Sequence, residues 1–203
     1  MAGKKVLLFL GEGFEDLEAV SVLSVCGWTE YRSHLEKVNV VTTGLHQEIH
    51  GRFGLHIAPD LLIDEVDPKN YAALVVPGGF HSHGFDEAYC QPLRDLAKTI
   101  HKQGGIIATM CVGILPIAEA DLLIGEEATS YAFSRNHDNL GRLHELGCRP
   151  TPGPIVMSNR IISCSGPAQS IDVAMMLLES LIGVDQTKEV ARFMAGTDAK
   201  KNN

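Results

Sequence analysis

The sequence predicts an α/β fold, in which one doubly wound and mostly parallel β-sheet is covered by helices on both faces. Short apolar runs rich in β-branched residues alternate with segments of helical spacing along the whole chain, which is typical of such sheets. The runs 4–10 and 72–77 are almost continuously apolar, as expected for strands buried on both faces. Hydrophobic residues make up 45% of the chain and charged residues 21%, an ordinary globular composition.

The N-terminal half begins with a predicted strand over 4–10, which Gly11 ends. Apolar spacing then predicts a helix over 14–30, followed by a second strand over 38–42. The other elements predicted for this half are short strands near 49 and 55–58, a helical turn over 63–66, a buried strand over 72–77 and a helix over 93–103.

The C-terminal half is organised around a strand over 105–110 that leads directly into Cys111. The further predictions are a helix over 112–122, a short strand over 128–131, a helix over 139–146, a hairpin of 155–157 and 161–164 turned at Ser158–Asn159, and helices over 168–182 and 184–195. We therefore expect a single domain over 1–196 and a disordered polar tail over 197–203.

The composition limits the classes of partner and location. A formal charge of −8 and a pI near 5.5 argue against nucleic acid or an anionic membrane as a partner. No apolar run is long enough to cross a bilayer, and we identify no signal peptide. Five scattered cysteines without a Cys-x-x-Cys pair indicate reduced thiols and a cytoplasmic protein: Cys26, Cys90, Cys111, Cys148 and Cys164.

Cys111 is the candidate nucleophile. A buried strand, a small-residue turn and an apolar helical segment place it in the context that lifts a reactive side chain out of a sheet edge. A following helix directs its positive dipole end at the sulfur. The sequence therefore predicts a thiol with a lowered pKa; a structural, unreactive cysteine is the alternative.

Glu18 is the candidate partner of this thiol. Helical spacing puts it on an apolar stripe with Phe14, Val22 and Val25, where lost hydration favours the protonated carboxyl. A protonated carboxyl can donate a hydrogen bond to a thiolate. Alternatively, the acidic residues here simply favour the positive end of a helix.

Gly78 and Gly79 follow the strand over 72–77 and let the backbone approach a ligand closely. Together with the N–H of Val112, this loop can supply an oxyanion hole beside the cysteine. An ordinary strand-ending turn is the alternative.

Five segments, taken together, resemble the ThiJ/PfpI superfamily, whose fold is flavodoxin-like and related to glutamine amidotransferases. They occur in the family's order at 13–18, 75–79, 105–113, 118–123 and 163–167. The resemblance implies that Cys111 is the reactive thiol and that Glu18 hydrogen-bonds it. It also implies oxyanion donors at Gly79 and Val112, no cofactor, and a homodimer.

The sequence departs from the family's histidine patterns. Peptidase-like members carry histidine where Val112 stands, and deglycase-like members carry one near Tyr131. His137 is the nearest histidine in sequence, and we expect it on the surface. His81-Ser-His83 follows the glycine loop and can reach the pocket; it lacks a third metal ligand, so we predict no metal ion.

The resemblance therefore implies a glutamate-assisted cysteine that acts on small electrophilic carbonyls, as in glyoxalases and deglycases. A cysteine-based sensor of oxidative stress without turnover is the alternative. A peptidase or amidohydrolase is the least favoured interpretation, because the Cys-His pair is missing.

Overall fold

The computed structural model describes residues 3–196, and the predicted tail over 197–203 lies outside that range. A seven-stranded sheet forms the centre, in the order β10-β11-β7-β6-β1-β2-β5. All of its neighbouring pairs are parallel except β10 with β11. Its strands are β1 (Lys4–Phe9), β2 (Val38–Gly44), β5 (Leu61–Leu62), β6 (Ala73–Val76), β7 (Ile106–Thr109), β10 (Ile155–Ser158) and β11 (Ile161–Cys164).

Two small sheets lie outside the central one. An antiparallel hairpin pairs β3 (Ile49–His50) with β4 (His56–Ile57), and a parallel pair joins β8 (Glu127–Ala128) to β9 (Arg149–Pro150). The α-helices are α1 (Asp16–Gly27), α2 (Gln91–Lys102), α3 (Ile114–Ala118), α4 (Asn139–Glu145), α5 (Ser170–Ile182) and α6 (Val184–Ala195).

Helices cover both faces of the sheet, and the side chains of β1 show why. Val6 and Leu8 belong to the core cluster packed under α1, α5 and α6, whereas Leu7 and Phe9 belong to the cluster under α2, α3 and α4. Alternate residues of a strand point to opposite faces, so both sets must be apolar. The doubly wound α/β fold predicted from these runs is confirmed. No described helix has the length and apolarity needed to span a membrane.

Several predicted boundaries change. The first helix ends at Gly27 and continues as a 3₁₀ turn over Trp28–Tyr31. The helix after Cys111 is a 3₁₀ turn over Cys111–Gly113 followed by α3, and Asp121 takes a φ of 59°, which no α-helix contains. The hairpin over 155–164 turns at Asn159 and Arg160, both with positive φ. Edge strand β5 was not predicted, because two residues are too short to show a period.

Candidate functional site

The carboxyl ends of β1, β6 and β7 bring three loops together, as expected for ligand sites in such sheets. Gly78 lies at their meeting point. A Cβ atom on Gly78 would lie 2.8 Å from Cys111 Cβ and 3.1 Å from Glu18 Oε2. The nucleophile and the carboxyl therefore surround one position that only glycine fits.

Cys111 occupies the predicted elbow. Its φ of 53° is left-handed, a conformation that costs a non-glycine residue roughly 1–3 kcal/mol and is concentrated at functional sites. The Ser130 hydroxyl donates to the Cys111 carbonyl at 2.9 Å and helps to hold this backbone. The turn that presents Cys111 is therefore strained.

The Cys111 thiol does not have the lowered pKa that the sequence predicted. Burial raises its pKa, and the charge of an ionised Glu18 raises it further, while a hydrogen bond from the Val112 N–H works in the opposite direction. The positive helix end is weak here because a single 3₁₀ turn and the short α3 replace the long helix expected. The prediction was wrong because it considered the helix dipole, which lowers the pKa of a thiol, but not the burial of the sulfur, which raises it.

Glu18 is fully buried behind Cys111. The Gly78 N–H donates to Glu18 Oε2 at 2.6 Å, whereas Oε1 has no hydrogen-bonding partner among the described residues. Burial is the main cause that raises the pKa of Glu18 to about 8. The carboxyl is therefore mostly protonated at neutral pH, as its place on an apolar stripe predicted, but the structure contains no hydrogen bond from it to Cys111.

The two other acidic residues of this segment have structural roles. Glu15 caps α1, because its Oε2 accepts from the Glu18 N–H at 2.8 Å. Asp16 accepts from the N–H groups of Phe53 and Leu55, both at 2.9 Å, and so fixes the turn between β3 and β4.

The backbone of the glycine loop is held in place from the N-terminal loop. The Phe80 N–H donates to the Gly13 carbonyl at 3.0 Å, and the Glu15 N–H donates to the Gly78 carbonyl at 2.9 Å. The Gly79 N–H makes no backbone hydrogen bond within residues 3–196. Gly79 and Val112 both line the cavity described next, which suits the oxyanion role predicted for them.

A cavity of about 530 Å³ opens above Cys111. Phe53, Phe80 and Tyr131 line it, and Arg135 adds one cationic side chain. The Phe53 and Phe80 rings pack edge to face with centroids 5.5 Å apart. The walls are therefore mainly apolar and aromatic, as in sites for small molecules.

Two histidines that the sequence left without a role also line this cavity. The His81 and His137 rings have centroids 4.9 Å apart, and His81 Nδ1 lies 2.7 Å from Asp86 Oδ1. His137 is on the surface, as predicted. The sequence signal for His81 is its position directly after the loop of Gly78, Gly79 and Phe80.

The sequence and the fold are both similar to proteins of one known family. The model of the DJ-1/PfpI family matches residues 4–180. Protein DJ-1alpha of Drosophila melanogaster is 27% identical over 197 residues, which cover 96% of this chain and 85% of that protein. Glutathione-independent glyoxalase DJR-1.2 of Caenorhabditis elegans is 27% identical over 193 residues, which cover 95% and 97% respectively. The solved structure of D. melanogaster DJ-1beta matches the fold with a TM-score of 0.80, at 22% identity over 96% of this chain and 98% of that one.

Proposed function

This chain belongs to the DJ-1/PfpI family, and from that premise we propose that it converts small electrophilic carbonyl compounds, of the 2-oxoaldehyde type, into hydroxy acids. Cys111 is the nucleophile and Glu18 is the proton carrier. The relative named as a glutathione-independent glyoxalase supports this reaction class.

The observation that carries the proposal is the state of Glu18. Its pKa of about 8 lies close to the working range of a general acid or base, where histidine usually serves. At pH 7 roughly one carboxyl in ten is ionised and can accept a proton. Glu18 therefore fills the role of the histidine that is missing after Cys111, and its unpartnered Oε1 is free for this transfer.

The proposed reaction needs no cofactor, because it rearranges the substrate and adds one water. Ionised Glu18 accepts the thiol proton as Cys111 Sγ attacks the aldehyde carbon, and the resulting hemithioacetal oxygen receives hydrogen bonds from the Gly79 and Val112 N–H groups. Glu18 returns the thiol proton to the hemithioacetal oxygen and is ionised again. It then carries the proton of the former aldehyde carbon to the neighbouring carbon, while the hydroxyl proton of the hemithioacetal passes to the neighbouring carbonyl oxygen. This gives a thioester, which water hydrolyses to the hydroxy acid.

The test is hydroxy-acid production from methylglyoxal. Cys111→Ser is expected to abolish it, and Glu18→Gln is expected to lower kcat at least 100-fold, the scale typical of a lost general base. The folding control is Glu145→Gln, a change of an exposed carboxylate on α4 that is expected to keep full activity. Equal activity of wild type and Glu18→Gln would refute the role of Glu18.

The oxidative-stress sensor is less well supported than the enzyme. Sensor cysteines react with peroxide as thiolates, and burial raises the pKa of Cys111 instead of lowering it. Selective oxidation of Cys111 at low peroxide, without any turnover of carbonyl compounds, would favour the sensor.

We also propose that the protein acts as a cytoplasmic homodimer. Leu17 and Val20, one turn apart on α1, are exposed large apolar side chains. An apolar patch on a helix is a common contact for a second copy. Nucleic acid and membranes are not among the partners that we propose.

A further inference from the structure

Outside the cavity, we propose that the β3–β4 hairpin carries a binding site for a divalent cation of the Zn²⁺ type, formed by Glu48, His50 and His56. His50 and His56 are direct cross-strand partners, so their side chains share one face of the hairpin. Glu48 precedes the strand, and its carboxylate lies near both imidazole rings. This group is the sole cluster of three potential ligands found in residues 3–196.

The ligand atoms are already close to the geometry of a bound ion. Glu48 Oε1 lies 3.8 Å from His50 Nε2 and 3.8 Å from His56 Nδ1, and the three atoms all lie within 4.8 Å of one another. Two ligands of a tetrahedral zinc ion are separated by about 3.3 Å. Exposed side chains close such a gap by small rotations, and all three are exposed.

A second carboxylate orients the first histidine. Glu12 Oε1 lies 2.9 Å from His50 Nδ1, and Glu12 Oε2 accepts from the His50 N–H at 3.1 Å. A proton on Nδ1, held by Glu12, leaves the lone pair on Nε2, the nitrogen that faces Glu48. Metal-bound histidines are typically held in this way by an outer carboxylate. A simple surface ion pair between Glu48 and His50 would not require a second carboxylate at the other ring nitrogen of His50.

The chemistry of the ligands selects the class of ion. Two imidazoles and one carboxylate suit Zn²⁺, Cu²⁺ or Ni²⁺, whereas Mg²⁺ and Ca²⁺ prefer oxygen ligands alone. Three protein ligands leave the fourth position of a tetrahedral ion to water.

Bound zinc would tie together the two short strands of the hairpin. The turn between them carries Phe53, which lines the catalytic cavity. A bound ion would therefore stabilise one wall of that cavity. This effect is independent of the chemistry of Cys111.

The test is equilibrium dialysis of the full chain against ZnCl₂, after chelator treatment, with zinc measured by mass spectrometry. All proteins carry Cys111→Ser, so that zinc on this thiolate is not counted. We expect one zinc per chain, with the affinity lowered 10–100-fold by Glu12→Gln and lowered further by His50→Ala or His56→Ala.

The matched control is His34→Ala, which removes another exposed histidine, one that lies 3.0 Å from the Glu189 carboxylate. It is expected to bind zinc as well as its parent does. Circular dichroism confirms the fold of each variant. The proposal is overturned if the parent binds no stoichiometric zinc, or if His56→Ala binds zinc as tightly as the parent.

Discussion

The stability of Glu18→Gln relative to wild type is expected to increase as the pH rises from 5 to 7. Burial raises the pKa of this carboxyl from 4.5 to about 8, so between these values the folded chain keeps a proton that the unfolded chain has lost. The folded state binds more protons, and its stability therefore falls with rising pH. For one such group the fall is about 1.4 kcal/mol per pH unit, and glutamine does not titrate.

The expected change in the free energy of unfolding follows from this slope and the width of the pH window. Over the two units from pH 5 to pH 7, the free energy of unfolding of Glu18→Gln is expected to gain about 2–3 kcal/mol on that of wild type. Glutamine can still accept the Gly78 N–H, while its unpaired amide N–H groups cost about 1–3 kcal/mol at every pH. The quantity to test is therefore how the difference in unfolding free energy between the two proteins changes with pH. Contributions that do not depend on pH cancel in this comparison.

Urea unfolding at pH 5, 6 and 7, followed by circular dichroism, measures this slope. The same pair of proteins carrying Cys111→Ser is the control, and it is expected to give the same slope because the pKa of that thiol is raised above the window. A difference that stays constant from pH 5 to pH 7 would show that burial does not raise the pKa of Glu18 in the folded protein.

Two further predictions concern packing and assembly. Gly78→Ala is expected to cost about 1–3 kcal/mol of stability and most of the activity, because its Cβ would lie 2.8 Å from Cys111 Cβ. Gly27→Ala, with nothing within 4 Å of the new Cβ, should be neutral or slightly stabilising by urea unfolding. Leu17→Glu is expected to convert the proposed dimer into monomers in light scattering, and an unchanged mass would place the interface elsewhere.

Much of the fold could be predicted from the sequence, because the buried strands are nearly continuous apolar runs. The strand that precedes Cys111 is clear for this reason, and it places the elbow at the correct end of the sheet. The sequence allows a left-handed Asp121 near the end of the helix after Cys111, and the structure has it, but no local pattern indicates that α3 already ends at Ala118. Aspartate tolerates that conformation but does not require it.

The structure brings Cys111 and Glu18 together and agrees with the protonated carboxyl predicted for Glu18, but not with the lowered pKa predicted for Cys111. Periodicity places Glu18 on an apolar stripe, and the structure buries it completely. The pKa of Cys111 depends instead on how much water and charge surround the sulfur in three dimensions, which no local spacing records. The position of His81 after the glycine loop allows its place at the cavity, but its contact with His137 joins two distant loops and was not predictable.

The proposed mechanism requires that Cys111 is a protonated thiol and that Glu18 activates it. The most direct test is the rate at which iodoacetamide alkylates Cys111 between pH 6 and pH 9, followed by mass spectrometry of the Cys111 peptide. We predict a rate that rises about tenfold per pH unit and levels off near the Glu18 pKa of about 8, and a much slower reaction at pH 8 in Glu18→Gln. A rate that is independent of pH from 6 to 8, and equal in the two proteins, would contradict the claim.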